Sequence, residues 1–358
     1  GRRQRQMCIR DRLTPENTSL ISGAASIVFC ATPFGPVRGD FVRHFLLFTL
    51  IVGLCGFCQP SEALAEERLI AVVMANSQPR YQEVHAAFVK QAAGFCDKDC
   101  RIYVQTPNAD TMSLRNSVRK AVALGADIIV TYGPLATIAA KAELPPVPTI
   151  FADVYDPVGL EIVAASTKTG RNMTGIRGDA PVQGLFKYFT DTVDVRKMGI
   201  IFDGHSPEAL LQKQVLEETS HRKGIIVFSR QVGDAHNYLA ALGDLPDDVD
   251  GIFVASSEHH QTQLGFITGY TNARKIPVIT QLAGAADQGA FMVLETSALE
   301  QGEKLAAIAG RVLSGENVQQ IPMQTPHGIS FVINLKQAKD LGIKVPIQTL
   351  SVASRVVH

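Results

Sequence analysis

The stretch that decides the fold runs Val147-Pro-Thr-Ile-Phe-Ala-Asp-Val-Tyr-Asp-Pro-Val-Gly159. Its first half is a continuous apolar run, which is typical of a short strand buried on both faces. Its second half turns polar at Asp153, Tyr155 and Asp156 before a proline and a glycine stop regular structure. Open α/β sheets bind ligands at the carboxyl ends of their strands. We therefore expect this strand to end in a ligand cleft.

Strand-like and helix-like patterns alternate along the rest of the chain. Three strand–helix units precede the quoted strand, from Leu69 onward, and after a less regular segment at 164–179 the alternation restarts at Val182. Alternating units of about 30 residues predict parallel sheets with right-handed crossovers. The restart predicts a second lobe of the same kind, so the fold class is α/β with two Rossmann-like lobes.

The first 65 residues differ from the rest of the chain. Residues 45–58 form an apolar run that lies between basic residues and the small-residue sequence Ala63-Leu-Ala65, the pattern of a cleavable secretory signal peptide. The alternative is a membrane anchor, but the run is shorter than the ~20 residues that a spanning helix needs. We assign 37–65 to a signal peptide, 1–36 to upstream or non-native sequence, and the protein to the periplasm.

Composition and cysteine usage restrict the class of protein. The chain is 46% hydrophobic and 19% charged, as globular proteins are, and its net charge of zero comes without a basic block that could bind nucleic acid. Of six cysteines only Cys96 and Cys100 follow the leader. In an oxidising compartment we expect these two to form a local disulfide.

No motif supports catalysis, a cofactor or a metal. Glu258-His-His260 could suggest metal ligation, but adjacent histidines at a helix start point in different directions and no third ligand has matching spacing. Ser206 lacks the G-x-S-x-G frame of a nucleophile elbow, and no G-x-G-x-x-G follows the first strand. We predict a binding protein without catalytic residues, bound metal or cofactor.

Three stretches resemble a known family: Pro148–Gly159, Asn172-Met-Thr-Gly-Ile176 and Phe331–Pro346. They are similar to the substrate-binding proteins of ABC transporters of the aromatic-amino-acid (tryptophan) type, which have the type I periplasmic binding fold. The resemblance implies two lobes connected by three crossings, a hinge that closes on the ligand, and a membrane permease and ATPase as partners. It divides the chain into lobe 1 at 66–178 plus 284–318 and lobe 2 at 179–283 plus 319–358.

Side chains that follow the strands are predicted to line the cleft. From the first lobe these are Ser77, Gln78, Tyr81, Tyr132, Gly133, Pro134, Asp153 and Tyr155. From the second lobe they are Asp203, Ser256, Ser257 and Gln281.

Each group in this set has an expected role. The Gly133-Pro134 pair opens a helix, and it either receives a ligand carboxylate or is a plain strand-to-helix turn. Asp153 could pair with a ligand cation, and Tyr132 and Tyr155 could stack on a planar or cationic group. Asp156 is interpreted as a turn former before a proline.

One departure from the resembled family concerns the ligand. At the strand end near Ser256 and Ser257, and again at Gln281, the family commonly carries an Asp suited to a ligand ammonium group. This chain has Ser256, Ser257 and Gln281 in place of that Asp, which argues against an α-amino acid as the ligand. We predict a periplasmic solute-binding protein that captures an amino acid or other small organic compound for an ABC importer. The alternatives are an extracytoplasmic sensor for a membrane receptor and, less favoured, a secreted α/β enzyme.

Overall fold

The computed structural model describes residues 67–358 except 97–99, 168, 179 and 233–237. The predicted signal peptide and the segment before it lie outside these residues. No helix in the described part of the chain is both long and apolar enough to cross a membrane.

The first sheet has five parallel strands in the order β2-β1-β3-β4-β5. The strands are β1 Arg68–Met74, β2 Cys100–Gln105, β3 Ile128–Tyr132, β4 Thr149–Val154 and β5 Met173–Arg177. Helices α1 Pro79–Ala92, α2 Thr111–Ala123 and α3 Gly133–Glu143 connect the first four strands. All five residues of β3 are buried, as expected for a central strand covered on both faces.

Strand β5 lies in the segment that the sequence pattern describes as less regular. At Gly175 its backbone approaches β4 so closely that an added Cβ would lie 2.1 Å from the carbonyl oxygen of Phe151. A glycine inside a strand weakens the strand pattern, yet it permits this close approach.

The second sheet has seven strands in the order β12-β11-β10-β9-β8-β6-β7. They are β6 Lys197–Phe202, β7 Ile226–Gln231, β8 Gly251–Val254, β9 Val278–Thr280, β10 Met292–Thr296, β11 Ile329–Asn334 and β12 Arg355–Val357. The expected parallel pairing holds except between β10 and β11, which are antiparallel.

The helices of the second lobe follow the same alternation. They are α4 Val182–Thr190, α5 Pro207–Arg222, α6 Tyr238–Gly243, α7 Glu258–Ala273, α9 Leu335–Leu341 and α10 Ile347–Ser351. Helix α8, Ala298–Leu313, instead packs on α1 of the first lobe. Gly302 permits this contact, because a Cβ there would lie 2.4 Å from the carbonyl oxygen of Val84.

The boundaries between the lobes differ from those expected. Strand β10 belongs to the second sheet, so the chain returns to the first lobe at Ser297 and not at residue 284. Gln324 still bonds to β5 through its N–H and the carbonyl of Gly175, at 2.9 Å, so the last crossing follows it. Beside β5 the chain also forms an isolated bridge between Ile176 and Gln324.

Within the described residues the chain crosses between the lobes three times. The crossings follow β5, β10 and Gln324. This number agrees with the resemblance drawn from the sequence. Away from the cleft, Cys96 and Cys100 form the expected disulfide between α1 and β2.

Candidate functional site

A cleft of about 620 Å³ lies between the lobes, at the carboxyl ends of strands from both sheets. Nine of the twelve predicted site residues line it. They are Gln78, Tyr81, Pro134, Asp153, Tyr155, Asp203, Ser256, Ser257 and Gln281. The exceptions are Ser77, which is exposed beside the cleft, and Tyr132 and Gly133, which are buried beneath it.

Tyr132 and Gly133 support the cleft from below. Tyr132 is fully buried, and its hydroxyl lies 3.2 Å from Nδ1 of His85. Gly133 has φ +79°, and a Cβ there would lie 2.1 Å from the Tyr81 hydroxyl. Gly133 therefore lets the Tyr81 ring lie directly against the backbone. The predicted stacking role of Tyr132 is wrong, because its buried ring does not reach the cleft.

Asp153 lies at an irregularity where β4 ends. The register between β4 and β5 shifts there, and Asp153 has φ +56°, a left-handed conformation that Asp tolerates better than most residues. Its Oδ1 accepts hydrogen bonds at 3.1 Å from Arg80 Nε and from Gln301 Nε2. Its backbone N–H donates to Gln301 Oε1 at 2.8 Å. The carboxylate that we expected to meet a ligand cation is thus already paired with a cation of the protein.

This cluster extends to two of the crossings. Arg80 Nη2 and Gln301 Nε2 each donate to Thr296 Oγ1 at 2.9 Å, and that hydroxyl donates to the carbonyl of Gly178 at 3.0 Å. Gly178 follows β5 and Thr296 ends β10, so the hydrogen bonds join two crossings to the end of β4. We name Arg80, Asp153, Thr296 and Gln301 the hinge cluster. The sequence did not indicate Arg80 or Gln301, since both lie on helices distant along the chain.

Gln212 organises the second-lobe side of the cleft. It is fully buried on α5; its Oε1 accepts from the Ser256 N–H at 2.7 Å, and its Nε2 donates to Ser256 Oγ at 3.0 Å. The same Nε2 donates to Gln281 Oε1 at 3.1 Å, and Gln281 Nε2 donates to the carbonyl of Ala180 at 2.7 Å. Ser256 and Gln281 therefore bond to the scaffold, and Gln212 was not anticipated from the sequence.

Asp203 is also engaged, although it lines the cleft. It is 3% exposed and accepts from the backbone N–H of His205 at 2.8 Å. Its Oδ2 lies 2.9 Å from Nδ1 of His259. This carboxylate holds a turn and a histidine at the cleft surface.

Glu258 is the first residue of α7, directly after its N-cap Ser257. Its Oε2 accepts a hydrogen bond at 3.1 Å from Asn76 Nδ2 of the opposite lobe. Its Oε1 is buried and has no hydrogen-bond partner among the described residues. Burial raises the pKa of this carboxyl above its usual value, because the charged form loses hydration.

The sequence analysis considered Glu258 only with the two histidines after it. In the structure the three side chains diverge: Glu258 reaches Asn76, His259 reaches Asp203, and His260 Nδ1 lies 2.6 Å from the carbonyl of Ala255. The described residues contain no group of three or more His, Cys, Asp or Glu side chains arranged for a metal ion. The signal that could have identified Glu258 is its place in the first turn of a helix that follows a buried strand.

Acidic side chains predominate on the cleft surface. Among the described lining residues the acids are Asp110, Asp153, Asp203, Glu208, Glu258 and Glu295, against one guanidinium, that of Arg80. The pKa of the Tyr81 hydroxyl reflects this negative charge. It is raised well above its usual value, first by burial and then by the carboxylates of Glu258, Asp153 and Glu208. The cleft therefore favours positive charge.

Comparison with known proteins agrees with this architecture. A family model described as ABC transporter substrate binding protein matches residues 70–357. A protein of Clostridioides difficile (strain R20291) called tyrosine-binding protein is 22% identical over 283 residues, which cover 78% of this chain and 82% of that protein.

Solved structures share the fold. A conserved domain protein from Vibrio cholerae is 19% identical with a TM-score of 0.76, over 81% of this chain and 99% of that one. An ABC domain from Streptococcus pneumonia in complex with L-Trp is 20% identical, also with a TM-score of 0.76, over 81% of this chain and 100% of that one.

Proposed function

Because this chain belongs to the ABC transporter substrate-binding protein family, we propose that its cleft captures a small organic ligand carrying a protonated amine. The family consists of solute-binding proteins, not enzymes, which act outside the cytoplasm and present a small ligand to a membrane permease and its ATPase. The proposal concerns the chemistry of that ligand and the residues that hold it.

The carboxylate of Glu258 carries the proposal. Glu258 lines the cleft, and among the described residues its carboxylate accepts one hydrogen bond, from the neutral amide of Asn76, and forms no ion pair. A largely buried carboxylate without a cationic partner costs free energy, and a ligand cation that pairs with it reduces this cost. A positively charged donor gains most from such a hydrogen bond. This supports a ligand ammonium group beside the Glu258 carboxylate.

The rest of the cleft supports a compact, partly apolar ligand body. Tyr81, Tyr155, Leu282 and Leu294 contribute to the lining, and the volume of about 620 Å³ lies within the usual range for ligand pockets, ~300–1,000 Å³. The related proteins described above as binding tyrosine and L-Trp are consistent with an aromatic amine or amino acid. The acid that appeared to be missing near Ser256 and Ser257 is supplied one position later, by Glu258.

The proposed route is secretion followed by hinge closure. The disulfide between Cys96 and Cys100 suits an oxidising compartment, and the leader at 37–65 remains the predicted means of export. A ligand that touches both lobes binds the closed form better than the open form and thereby shifts the population toward closure. N-terminal sequencing of the exported protein tests the leader, with a mature start at Glu66 expected.

Ligand screening tests the proposed chemistry. The chain from Glu66 is screened by thermal shift and calorimetry against L-tyrosine, L-tryptophan, tyramine and agmatine, and against the amine-free 3-(4-hydroxyphenyl)propionate. We expect an amine to bind and the amine-free acid not to bind. Glu258→Gln should weaken amine binding roughly 100-fold, whereas Glu303→Gln, on the exposed face of α8, should leave it unchanged. Equal binding of the amine-free acid would contradict the proposal.

A further inference from the structure

We propose that His259, held by Asp203, is a specificity-determining residue of the cleft. Its second ring nitrogen accepts a hydrogen bond from a neutral donor of the ligand, either a hydroxyl or an aromatic N–H. Asp203 is the positioning residue of this couple, because it touches His259 and acts on the ligand through it. The inference rests on the proposed function and adds a second polar group to the ligand, besides its amine.

The two side chains meet because their strands are neighbours. Asp203 directly follows β6, and β6 pairs in parallel with β8, the strand that leads into α7. His259 is the second residue of α7, so both side chains lie at the carboxyl edge of the second sheet, and both line the cleft. The hydroxyl of the N-cap residue Ser257 accepts from the N–H of His260, which fixes the helix turn that carries His259.

The carboxylate of Asp203 determines which nitrogen of His259 carries the proton. It is buried, and its Oδ1 accepts from the backbone N–H of His205 at 2.8 Å. Its Oδ2 lies 2.9 Å from Nδ1 of His259. A carboxylate only accepts hydrogen bonds, so Nδ1 is the donor and the neutral ring has its proton there. Nε2 therefore carries a lone pair and acts as an acceptor.

Nε2 lies on the part of the ring that a ligand can reach. The side chain of His259 is 60% exposed, whereas that of Asp203 is 5% exposed. Because the two ring nitrogens point in different directions, Nε2 points away from the buried carboxylate. Within the described part of the chain, the hydrogen bond of this ring is made by Nδ1 and none is made by Nε2. The next histidine, His260, is fully buried, so His259 is the one that α7 presents to the cleft.

A neutral donor suits this position better than an ammonium group does. Both oxygens of Asp203 are engaged, so a ligand group at Nε2 meets an uncharged imidazole. Glu258, at the preceding position, is a carboxylate whose described hydrogen-bond partner is the neutral amide of Asn76. An ammonium group gains more there, since a hydrogen bond between opposite charges is stronger. This leaves Nε2 of His259 to a hydroxyl or an aromatic N–H.

Calorimetry with probes that differ by one hydroxyl tests the inference on the chain from Glu66, at about pH 8, above the usual range of imidazole protonation. The pairs are tyramine with phenethylamine and L-tyrosine with L-phenylalanine. We expect the unaltered protein to bind the hydroxylated member of a pair more tightly, on the order of 10-fold.

His259→Asn removes the acceptor and keeps the contact with Asp203. The amide nitrogen of Asn lies near the position of Nδ1 and can still donate to the carboxylate, while Nε2 is deleted. This variant should lose the preference for the hydroxylated probe through weaker binding of that probe alone. His221→Asn, at an exposed position in the last turn of α5, is the matched control and should keep the preference.

The position of the ring proton supplies the second readout, measured by NMR correlations to the ring nitrogens of His259. In the unaltered protein we expect the proton at Nδ1. In Asp203→Asn the side-chain oxygen keeps its bond to the His205 N–H, so the amide NH2 group faces His259 and the proton moves to Nε2. A merely structural contact between the two side chains would not move it.

Three results would overturn the inference. They are equal binding of both members of a pair by the unaltered protein, a full preference in His259→Asn, and a proton that stays at Nδ1 in Asp203→Asn. In each case, weaker binding of the amine probes by Glu258→Gln still supports the proposed function. Absence of binding by all four probes overturns both.

Discussion

The cleft presents two carboxylates that differ in their partners. Asp153 in the first lobe bonds to the guanidinium of Arg80 and the amide of Gln301, and this hinge cluster reaches two of the crossings. Within the part of the chain that the structure describes, Glu258 in the second lobe bonds to one neutral amide, that of Asn76, and its buried Oε1 has no hydrogen-bond partner. The comparison indicates that a carboxylate paired with a cation of the protein stabilises the scaffold, whereas a carboxylate without such a partner is available to a ligand.

Removing the compensated carboxylate should have the largest effect. Asp153→Ala leaves Arg80, whose side chain is 16% exposed, without its anion and forces Ala into a positive φ. We expect the free energy of unfolding to fall by about 3 kcal/mol in denaturant titrations, since breaking a largely buried ion pair strands the remaining charge.

Another carboxylate–arginine pair serves as the control for this change. Glu316 and Arg311 form an exposed pair on the surface, with side chains 38% and 42% accessible. Glu316→Ala should therefore cost less than about 1 kcal/mol. Equal losses in the free energy of unfolding for Asp153→Ala and Glu316→Ala would show that the pair of Asp153 with Arg80 stabilises the fold no more than an exposed pair does.

Removing the uncompensated carboxylate should affect binding and spare stability. Glu258→Gln is expected to weaken binding of an amine ligand roughly 100-fold, equivalent to about 2.7 kcal/mol, through loss of a charge-assisted hydrogen bond. The free energy of unfolding should not fall, because burial disfavours the ionised carboxyl. Calorimetry and denaturant titration on the same preparation measure both quantities. A stability loss as large as that of Asp153→Ala would place Glu258 in the scaffold.

The pH dependence of binding should give a smaller, graded effect. Burial raises the pKa of Glu258, so the folded protein binds this proton more tightly than the unfolded chain does. As pH falls through the raised pKa, the carboxyl becomes neutral and affinity for an amine should fall, approaching about tenfold per pH unit. Over the same window this group's contribution to folding stability becomes more favourable.

Ligand titrations by calorimetry and denaturant titrations, both across the acid pH range, check that affinity falls while this contribution to stability rises. Other acidic side chains line the cleft, so the profile is compared with that of Glu258→Gln. The difference between the two profiles isolates Glu258. An identical pH profile in the variant would show that other groups control binding.

Much of this structure follows from local sequence patterns. The periodicity of apolar residues and the turn residues set secondary structure over a few positions. The resulting alternation of strands and helices predicts parallel α/β lobes. Nine predicted residues line the cleft because polar groups that follow parallel strands converge at one edge of the sheet. The placement of β10 was missed, since nothing local to Met292–Thr296 indicates which of two sheets it joins.

By itself, then, the sequence determined the type of fold and the strand ends at which a ligand could bind. Only the tertiary structure decided which of those side chains remain available. Asp153 is compensated by residues 73 and 148 positions away, and Glu258 meets its amide across 182 positions. Desolvation and pairing are set by such distant neighbours, so one carboxylate is paired with a cation of the protein, whereas the other lines the cleft with a neutral amide as its partner.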